Sequence, residues 1–266
     1  MNILGIDIGF SQTRKSTGIA RLENGCLSLA KAFHTWESRK DILGSKAIQL
    51  AAIDGPLLPI LDWQYRTCEK ILSLGKFQRR CKPGLSHIPG TGRKLCRAAH
   101  ETARQLMDLT TTEEIQTYFP RAWPGRNIIE AFPNAFLALS LADNCFAEVS
   151  QIPRNEKLDW LYCRFLQEDK FAMLLELIDW QEPNPILACL RNKQDRDERA
   201  ALICLLMAAA VIKGKYTAVG DQKGGYIFLP PWELWAKWAR TELTKQKSRV
   251  INLEIWKDGQ CLANPG

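Results

Sequence analysis

Three acidic residues lie in apolar segments that have the pattern of buried strands. Asp7 follows the apolar run that starts at Asn2, and Asp54 ends the run that starts at Ala47. Glu130 stands inside a third apolar run, Ile-Ile-Glu-Ala-Phe. A buried carboxylate is costly unless a cation or hydrogen-bond donors compensate it. We therefore take Asp7, Asp54 and Glu130 as candidate catalytic residues.

A fourth acid is expected from the start of the longest apolar helix, predicted over 197–213. Asp195, Asp197 and Glu198 stand just before this helix or in its first turn. Acids favour the first turn of any helix because of the helix dipole, so each has an ordinary structural interpretation. Glu198 is the preferred candidate because it adjoins the apolar stretch. The pattern leaves open which of the three acids turns inward.

Three or four carboxylates from separate elements form an oxygen-rich cage of the type that Mg²⁺ or Mn²⁺ prefers. Two such ions activate a water and stabilise the leaving oxygen in phosphodiester hydrolysis. The residues expected to bind metal and to catalyse are Asp7, Asp54, Glu130 and Glu198. The competing interpretation assigns Asp7 and Asp54 to turns and Glu130 to an ion pair at a strand end.

The positive charge of the chain is concentrated in one segment. The formal net charge is +7, and residues 76–104 contain eight Lys or Arg and one acid. The part over 76–94 is rich in Gly and Pro, which predicts a loop that offers backbone N–H groups and cations to phosphate. The alternative is a solvated loop that serves solubility. The residues expected to bind substrate are Arg79, Arg80, Lys82 and Arg93, with Ser11 and Arg14 after the first strand.

Apolar periodicity predicts an α/β fold whose strands position these acids. Asn24-Gly25 separates two apolar runs and predicts a hairpin, so the first three strands form an antiparallel meander. Further strands follow at 47–53 and 127–131, and short strands are expected at 216–219 and 226–229. Helices are expected at 36–45, 62–74, 94–109, 197–213 and 232–245, with a helical insertion over about 134–190.

The composition is that of a single globular domain over residues 1–266. Hydrophobic residues make up 46% of the chain and charged residues 24%. The longest apolar run, 200–212, is too short to cross a membrane, and the N-terminal pattern is that of a strand and not of a signal peptide. The nine cysteines form no Cys-x-x-Cys pair, which disfavours structural zinc and favours reduced thiols. We expect a cytoplasmic protein with no membrane partner.

The order of these motifs resembles the ribonuclease H-like superfamily and, within it, a broad uncharacterised family of predicted nucleases. The resemblance implies a mixed five-stranded sheet, an antiparallel meander followed by parallel strands, flanked by helices. It also implies a metal site of Asp7, Asp54, Glu130 and a helix acid. The matching segments are Gly-Ile-Asp-Ile-Gly-Phe-Ser at 5–11, Ala-Ile-Asp-Gly-Pro-Leu at 52–57, Ile-Glu-Ala-Phe-Pro at 129–133, Arg-Ala-Ala-Leu at 199–202, and shorter matches at 80–84, 89–93 and 225–231.

The chain departs from this family pattern at one place. The pattern has His-Asp or His-Glu before Arg-Ala-Ala, whereas Asp197-Glu198 precedes it here. The resemblance therefore assigns the carboxylate to Glu198, and Asp197 replaces the histidine.

The leading prediction is a metal-dependent phosphodiesterase or nuclease that hydrolyses DNA or RNA by a two-metal mechanism. The oligomeric state and the choice between DNA and RNA stay open. A nucleotide-dependent phosphotransferase of the actin and sugar-kinase class is an alternative, because residues 5–13 resemble its first phosphate loop. That class also has a second phosphate loop in a duplicated domain, for which 266 residues are few. A catalytically silent nucleic-acid-binding protein is the third interpretation, and acids at the centre of a phosphate-binding surface argue against it.

Overall fold

The fold is built around one mixed β-sheet. A computed structural model describes residues 1–44, 47–58, 64–110, 117–121, 126–147 and 149–262. The strands in these ranges are β1 (Asn2–Asp7), β2 (Thr17–Glu23), β3 (Cys26–Ala32), β4 (Leu50–Asp54), β5 (Ile128–Ala131), β6 (Thr217–Asp221), β7 (Gly225–Leu229), β8 (Glu254–Lys257) and β9 (Gln260–Leu262). The α-helices are α1 (Trp36–Leu43), α2 (Thr67–Ile71), α3 (Gly75–Arg80), α4 (Thr91–Leu106), α5 (Pro133–Ala138), α6 (Lys157–Gln167), α7 (Lys170–Leu177), α8 (Pro183–Asn192), α9 (Arg196–Ile212) and α10 (Lys237–Gln246). Short 3₁₀ segments occupy Asp143–Phe146, Val149–Gln151, Trp232–Leu234 and Lys247–Arg249.

The sheet combines antiparallel and parallel strands in the order β3-β2-β1-β4-β5-β7-β6-β8-β9. β1, β2 and β3 form the predicted antiparallel meander, and Asn24 and Gly25 both have positive φ, as a tight hairpin turn requires. β4 pairs in parallel with β1, β5 with β4, and β7 with β5. The prediction of a mixed α/β sheet flanked by helices is confirmed.

The predicted number of five strands is wrong, since nine strands are present in the described ranges. The short strands expected at 216–219 and 226–229 join the same sheet as β6 and β7, because β7 pairs in parallel with β5. β8 and β9 extend the sheet beyond β6 through a turn at Asp258-Gly259. Asp-Gly is a hairpin signal, but the flanking segments are short and largely exposed, so they lack the alternation of a core strand.

Two hydrophobic cores lie on opposite faces of the sheet. On one face α9 packs along β1, β2 and β4, and α5 and α6 contact it from the other side. The predicted insertion over 134–190 includes α5 to α8, which join this core. α4 packs against β4 in the second core. Twelve of the 17 residues of α9 are buried, which explains its nearly uniform apolar pattern. No helix in the described ranges is both long enough and apolar enough to span a membrane.

The basic segment is more helical than its composition predicts. α3 occupies Gly75–Arg80 and α4 begins at Thr91, so the non-helical stretch is 81–90 and not 76–94. The helix predicted over 62–74 is reduced to α2, and Gly75, with φ of 50°, turns the chain into α3. The predicted start of that helix at 62 and 63, and the predicted end of the first helix at 45, lie outside the described residues.

Two glycines allow α9 to lie directly on the sheet. A Cβ on Gly5 of β1 would overlap the backbone of Ala201 and Leu205, and a Cβ on Gly18 of β2 would overlap the backbone of Asp197. Glycine at these positions therefore sets the separation between the sheet and the helix. The contact at Gly18 involves the first turn of α9, where the acids of the sequence analysis are located.

Gly5→Ala and Gly18→Ala are each expected to destabilise the fold by about 1–3 kcal/mol, because the backbone of α9 must move away from the sheet. Urea unfolding followed by circular dichroism measures the change in the free energy of unfolding. Gly84→Ala is the matched control, since the nearest atom to a Cβ there lies at 3.9 Å. Equal unfolding midpoints for the Gly18 and Gly84 variants would contradict the close packing.

Candidate active site

The pairing of β1 with β4 brings Asp7 and Asp54 together. They are the last residues of these two parallel strands and are register partners. Register partners in neighbouring strands point to the same face of the sheet, on strands about 4.8 Å apart. The two carboxylates, called the acid pair below, therefore lie side by side at the carboxyl edge of the sheet, on the face that carries α9.

A cavity of about 290 Å³ lies beside the acid pair. Its walls come from the loop after β1, the start of α5, the start of α6 and the first turn of α9. Asp7 and Asp54 both line this cavity and are half-buried. The other polar side chains that line it are Ser11, Arg14, Ser16, Asn134, Arg196 and Asp197.

Burial and repulsion from nearby carboxylates disfavour the charged forms of both acids. Burial raises the pKa of Asp7 well above the ordinary 3.8, and the negative charges of Asp54 and Asp197 raise it further. Burial also raises the pKa of Asp54 to about 7, with Glu130 adding to the effect and Arg196 opposing it. Two like charges in such an environment are expected to share a proton or to attract a cation.

Two arginines at the cavity are available to contact an anion. Arg14 and Arg196 line the cavity, are exposed, and form no ion pair with any residue that the structure describes. The loop that carries Arg14 is closed on itself, since the backbone N–H groups of Thr13 and Arg14 both donate to Ser11 Oγ at 3.3 Å. Guanidinium groups beside carboxylates suit a phosphodiester, whose oxygens accept from the guanidinium and also bind cations.

The first turn of α9 gives its three acids three different roles. Asp195 caps the helix and accepts from the backbone N–H groups of Asp197 at 2.9 Å and Glu198 at 3.1 Å. Asp197 lines the cavity and pairs with Lys31 of β3 at 2.8 Å. Glu198 pairs with Lys193 at 2.9 Å and does not line the cavity. The structure thus brings Asp197 to the site in place of the predicted Glu198, because consecutive residues of a helix point about 100° apart.

Glu130 lies on the opposite face of the sheet from the acid pair. Its register partner in β4 is Ile53, one residue before Asp54, so the alternation of the strand directs it away from the cavity. Glu130 is 5% exposed and pairs with Arg66, whose Nη1 lies 3.0 Å from Glu130 Oε1. The structure therefore does not join this predicted ligand to Asp7 and Asp54, and its contacts are those of the ion-pair interpretation.

Arg66 connects two buried acids and several loops. It pairs with Glu69 at 3.2 Å as well as with Glu130, and its Nε donates to the carbonyl of Gly224 at 2.6 Å. Glu69 Oε2 also accepts from the backbone N–H of Ser86 at 3.1 Å. This network ties the start of α2, the loop before α4 and the β6–β7 turn to β5.

Arg80, one of the predicted substrate-binding residues, is held within the protein. Its guanidinium group lies 4.3 Å from the ring centre of Phe146 and 4.1 Å from that of Trp238. It also pairs with Asp143 at 2.7 Å. Stacking and ion pairing account for this side chain without a substrate.

The other predicted substrate-binding residues are divided between the surface and the cavity. Arg79 and Lys82 are exposed and do not line the cavity. Arg93, in the first turn of α4, donates to the carbonyl of His87 in the preceding loop at 2.8 Å. Ser11 and Arg14 do line the cavity, because the loop after β1 begins at the acid pair.

Several cavity residues escape the sequence analysis, among them Asn134, Arg196 and Phe10. Asn134 follows β5 and Pro133, so the chain after β5 contributes to the site although Glu130 does not. Arg196 stands between Asp195 and Asp197, and Phe10 follows the Asp-Ile-Gly motif. The available signal was their place after strand ends or at a helix start, since such segments meet at the carboxyl edge of an α/β sheet.

The acid pair offers the oxygen ligands that a divalent cation prefers. Among the described residues no group of three or more acidic, histidine or cysteine side chains is arranged to hold a metal ion, so the expected four-carboxylate cage is not assembled there. Mg²⁺, however, is commonly bound by one or two carboxylates and completes its shell with waters and substrate phosphates. Asp7 and Asp54 offer hard oxygen ligands whose charges are poorly compensated, and this donor set fits such an ion.

Asp54→Asn is expected to stabilise the protein at pH 8 in EDTA. The pKa of Asp54 in the folded state, about 7, lies above the ordinary 3.8, so its ionisation costs stability as the pH rises from about 4 to about 7. The melting temperature at pH 8 should rise by roughly 2–4 °C per kcal/mol regained, with little change at pH 4. Scanning fluorimetry measures this, with the exposed Asp41→Asn as control. A lower melting temperature for Asp54→Asn at pH 8 would rule out the electrostatic cause.

Glu130→Gln is expected to act in the opposite direction and to destabilise the protein by about 3 kcal/mol, because Arg66 loses one of its two buried acidic partners. Urea unfolding at pH 8 measures the free energy of unfolding. Glu198→Gln is the control, since its ion pair with Lys193 is partly exposed and contributes about 1 kcal/mol or less. Unchanged stability of Glu130→Gln would contradict a stabilising ion pair between Glu130 and Arg66.

Comparisons with known proteins assign the chain to no family and no function. The chain matches no protein-family model, no curated protein and no solved structure. The interpretation of the site therefore rests on the geometry of the acid pair and its neighbours.

Proposed function

We propose that the protein is a metal-dependent phosphodiesterase that hydrolyses nucleic acid. The observation that carries the proposal is the acid pair, Asp7 and Asp54, in a cavity that Arg14 and Arg196 also line. Carboxylates hold divalent cations, and arginines donate to phosphate oxygens in pairs. A phosphodiester bound between them would therefore be contacted by cations on both sides.

Support for the fold behind this function comes from the strand order. The segment β3-β2-β1-β4-β5, with β1 to β3 antiparallel and β4 and β5 parallel, is the arrangement that the resemblance to the ribonuclease H-like superfamily implies. We propose a ribonuclease H-like core whose sheet is extended by β7, β6, β8 and β9. In such a core the ends of β1 and β4 supply the carboxylates of the site.

The residues of the chain divide the chemistry between them. Asp7 and Asp54 would hold Mg²⁺ or Mn²⁺, with Asp197 beside them at the cavity wall. The bound metal supplies an activated water and neutralises charge on the departing oxygen. Arg14 and Arg196 hold the phosphate oxygens and orient the phosphodiester. Lys31 holds Asp197 in place through its 2.8 Å ion pair.

A polymeric substrate is favoured by basic groups that lie beyond the cavity. Gly55 follows the strand that ends in the acid pair, and a Cβ there would contact Leu95 and Ala99 of α4. The first turns of α4 therefore lie near the carboxyl end of β4, on the opposite face of the sheet from α9. Lys94 and Arg97 are exposed on these turns, and the net charge of +7 attracts a polyanion from a distance.

A cytoplasmic location is part of the proposal. All nine cysteines are free thiols. Free cysteines in this number are typical of a reducing compartment, where such a nuclease would meet DNA or RNA.

The proposal predicts cleavage of labelled oligonucleotides in Mg²⁺ or Mn²⁺. A panel of single-stranded, duplex, hybrid and branched DNA and RNA identifies the substrate. Asp7→Asn and Asp54→Asn should each reduce the rate by about 100-fold or more, as expected on loss of a preorganised charged group. Gel electrophoresis of the products measures the rate.

Two further variants separate the acids of α9. Asp197→Asn should lower the cleavage rate, because Asp197 lines the cavity, whereas Glu198→Gln should retain it. If no nucleic acid in the panel is cleaved but calorimetry still shows Mn²⁺ binding, the result would favour a phosphotransferase over a nuclease. Failure of both cleavage and metal binding would contradict the enzymatic proposal.

A further inference from the structure

Phe10 is an exposed aromatic side chain at the cavity that holds the acid pair. It is 39% exposed and lines the cavity together with Arg14. Single exposed apolar residues are common on protein surfaces, so exposure alone carries no conclusion. Phe10, however, lies three residues after Asp7 on the wall of a charged cavity, where its exposed ring faces whatever binds beside the acid pair.

The backbone on both sides of Phe10 is fixed. The carbonyl of Gly9 accepts from Thr17 Oγ1 at 3.2 Å and from Arg39 Nη2 at 3.3 Å. The N–H of Ser11 donates to Ser16 Oγ at 3.3 Å. The ring is therefore presented from an anchored loop, and little conformational entropy is lost when a planar group stacks on it.

Further aromatic and basic side chains adjoin this loop. Lys15 lies over the ring of Phe33 at 6.0 Å, and Phe33 is 37% exposed. His34 Nδ1 contacts the carbonyl of Ser11 at 3.1 Å, which joins the end of β3 to the loop. Exposed rings that alternate with cations are the surface used to bind single-stranded nucleic acid, because bases stack on the rings and phosphates contact the cations.

A duplex does not suit this arrangement. In a duplex each base face is covered by the neighbouring base pairs, so a ring can stack only on an unpaired or displaced base. The acid pair is also recessed in a cavity of about 290 Å³, whose size favours a flexible strand over a rigid double helix.

We infer that the substrate is single-stranded nucleic acid, and that Phe10 stacks on the base next to the phosphate held at the acid pair. Arg14, four residues along the same loop, contacts the adjoining phosphate. This inference rests on the proposed function, because it takes the acid pair as the place where the phosphodiester is bound. It adds the strandedness of the substrate and a stacking residue for it.

The test is equilibrium binding, which needs no cleavage. Fluorescence anisotropy of a short labelled oligonucleotide of mixed sequence, in EDTA and again in Ca²⁺, compares the single strand with its duplex. Phe10→Leu keeps an apolar side chain and removes the ring, and Phe10→Trp restores a ring. Tyr118→Ala is the matched control, since Tyr118 is 67% exposed and packs against Trp256 near β8, at the far end of the sheet.

The wild-type protein is expected to bind the single strand more tightly than the duplex. Phe10→Leu should weaken single-strand binding by roughly 5- to 100-fold, the range found for loss of one base–aromatic stack. Phe10→Trp should bind as the wild type does, and Tyr118→Ala should change nothing. Equal affinity for the duplex, an unchanged affinity of Phe10→Leu, or no binding in either condition overturns the inference.

The outcome is separable from that of the proposed function. If single-strand binding depends on Phe10 but no oligonucleotide is cleaved, the stacking role of Phe10 would be supported and the proposed hydrolase activity contradicted. The opposite result is metal-dependent cleavage that Asp54→Asn abolishes, with tighter binding of the duplex and no change in affinity for Phe10→Leu. It would support the hydrolase activity and overturn single-strand recognition.

Discussion

The parallel pairing of β1 with β4 is the constraint on which the site depends. It makes Asp7 and Asp54 register partners at the carboxyl edge of the sheet, on the same face. A slip by one residue would direct one of the two carboxylates into the opposite core, because side chains alternate along a strand. The buried apolar residues of both strands prevent this slip, since they fill one core on each side of the sheet. Packing of the sheet thus fixes the geometry of the acid pair.

The packing of α9 completes the site at a cost in stability. Gly18 allows the first turn of α9 to approach β2, which brings Asp197 and Arg196 to the cavity. Asp197 adds negative charge near Asp7, while Arg196 offsets part of it. The raised pKa values of the acid pair record this cost, because burial disfavours both charged forms and nearby carboxylates add to the effect. Groups strained in this way are common where a site is arranged for a ligand and not for stability alone.

Asp54 and Glu130 illustrate how the groups around a buried acid decide whether it belongs to a ligand site or to the fold. Asp54 and Glu130 stand on adjacent parallel strands in similar apolar sequence. Asp54 meets another carboxylate and a cavity, whereas Glu130 meets the guanidinium group of Arg66. Among the described residues Asp54 forms no ion pair, whereas Glu130 forms one with Arg66, so the same type of residue suits a ligand site in one place and supports the fold in the other.

The sequence by itself determined the meander, the Asn24-Gly25 turn, the buried helix α9 and the nearness of acids to strand ends, because these depend on local periodicity and turn chemistry. It also selected Asp7 and Asp54, which end β1 and β4, and Ser11 and Arg14, which lie in the loop after β1. Only the tertiary structure decided that Glu130 faces Arg66, that Asp197 and not Glu198 reaches the cavity, and that Arg80 stacks between two rings. Each of these depends on strand register, on the rotation of a helix about its axis, or on contacts between residues far apart in the chain. A local sequence pattern does not specify strand register, helix rotation or long-range contacts, because these are set when the separate elements pack together.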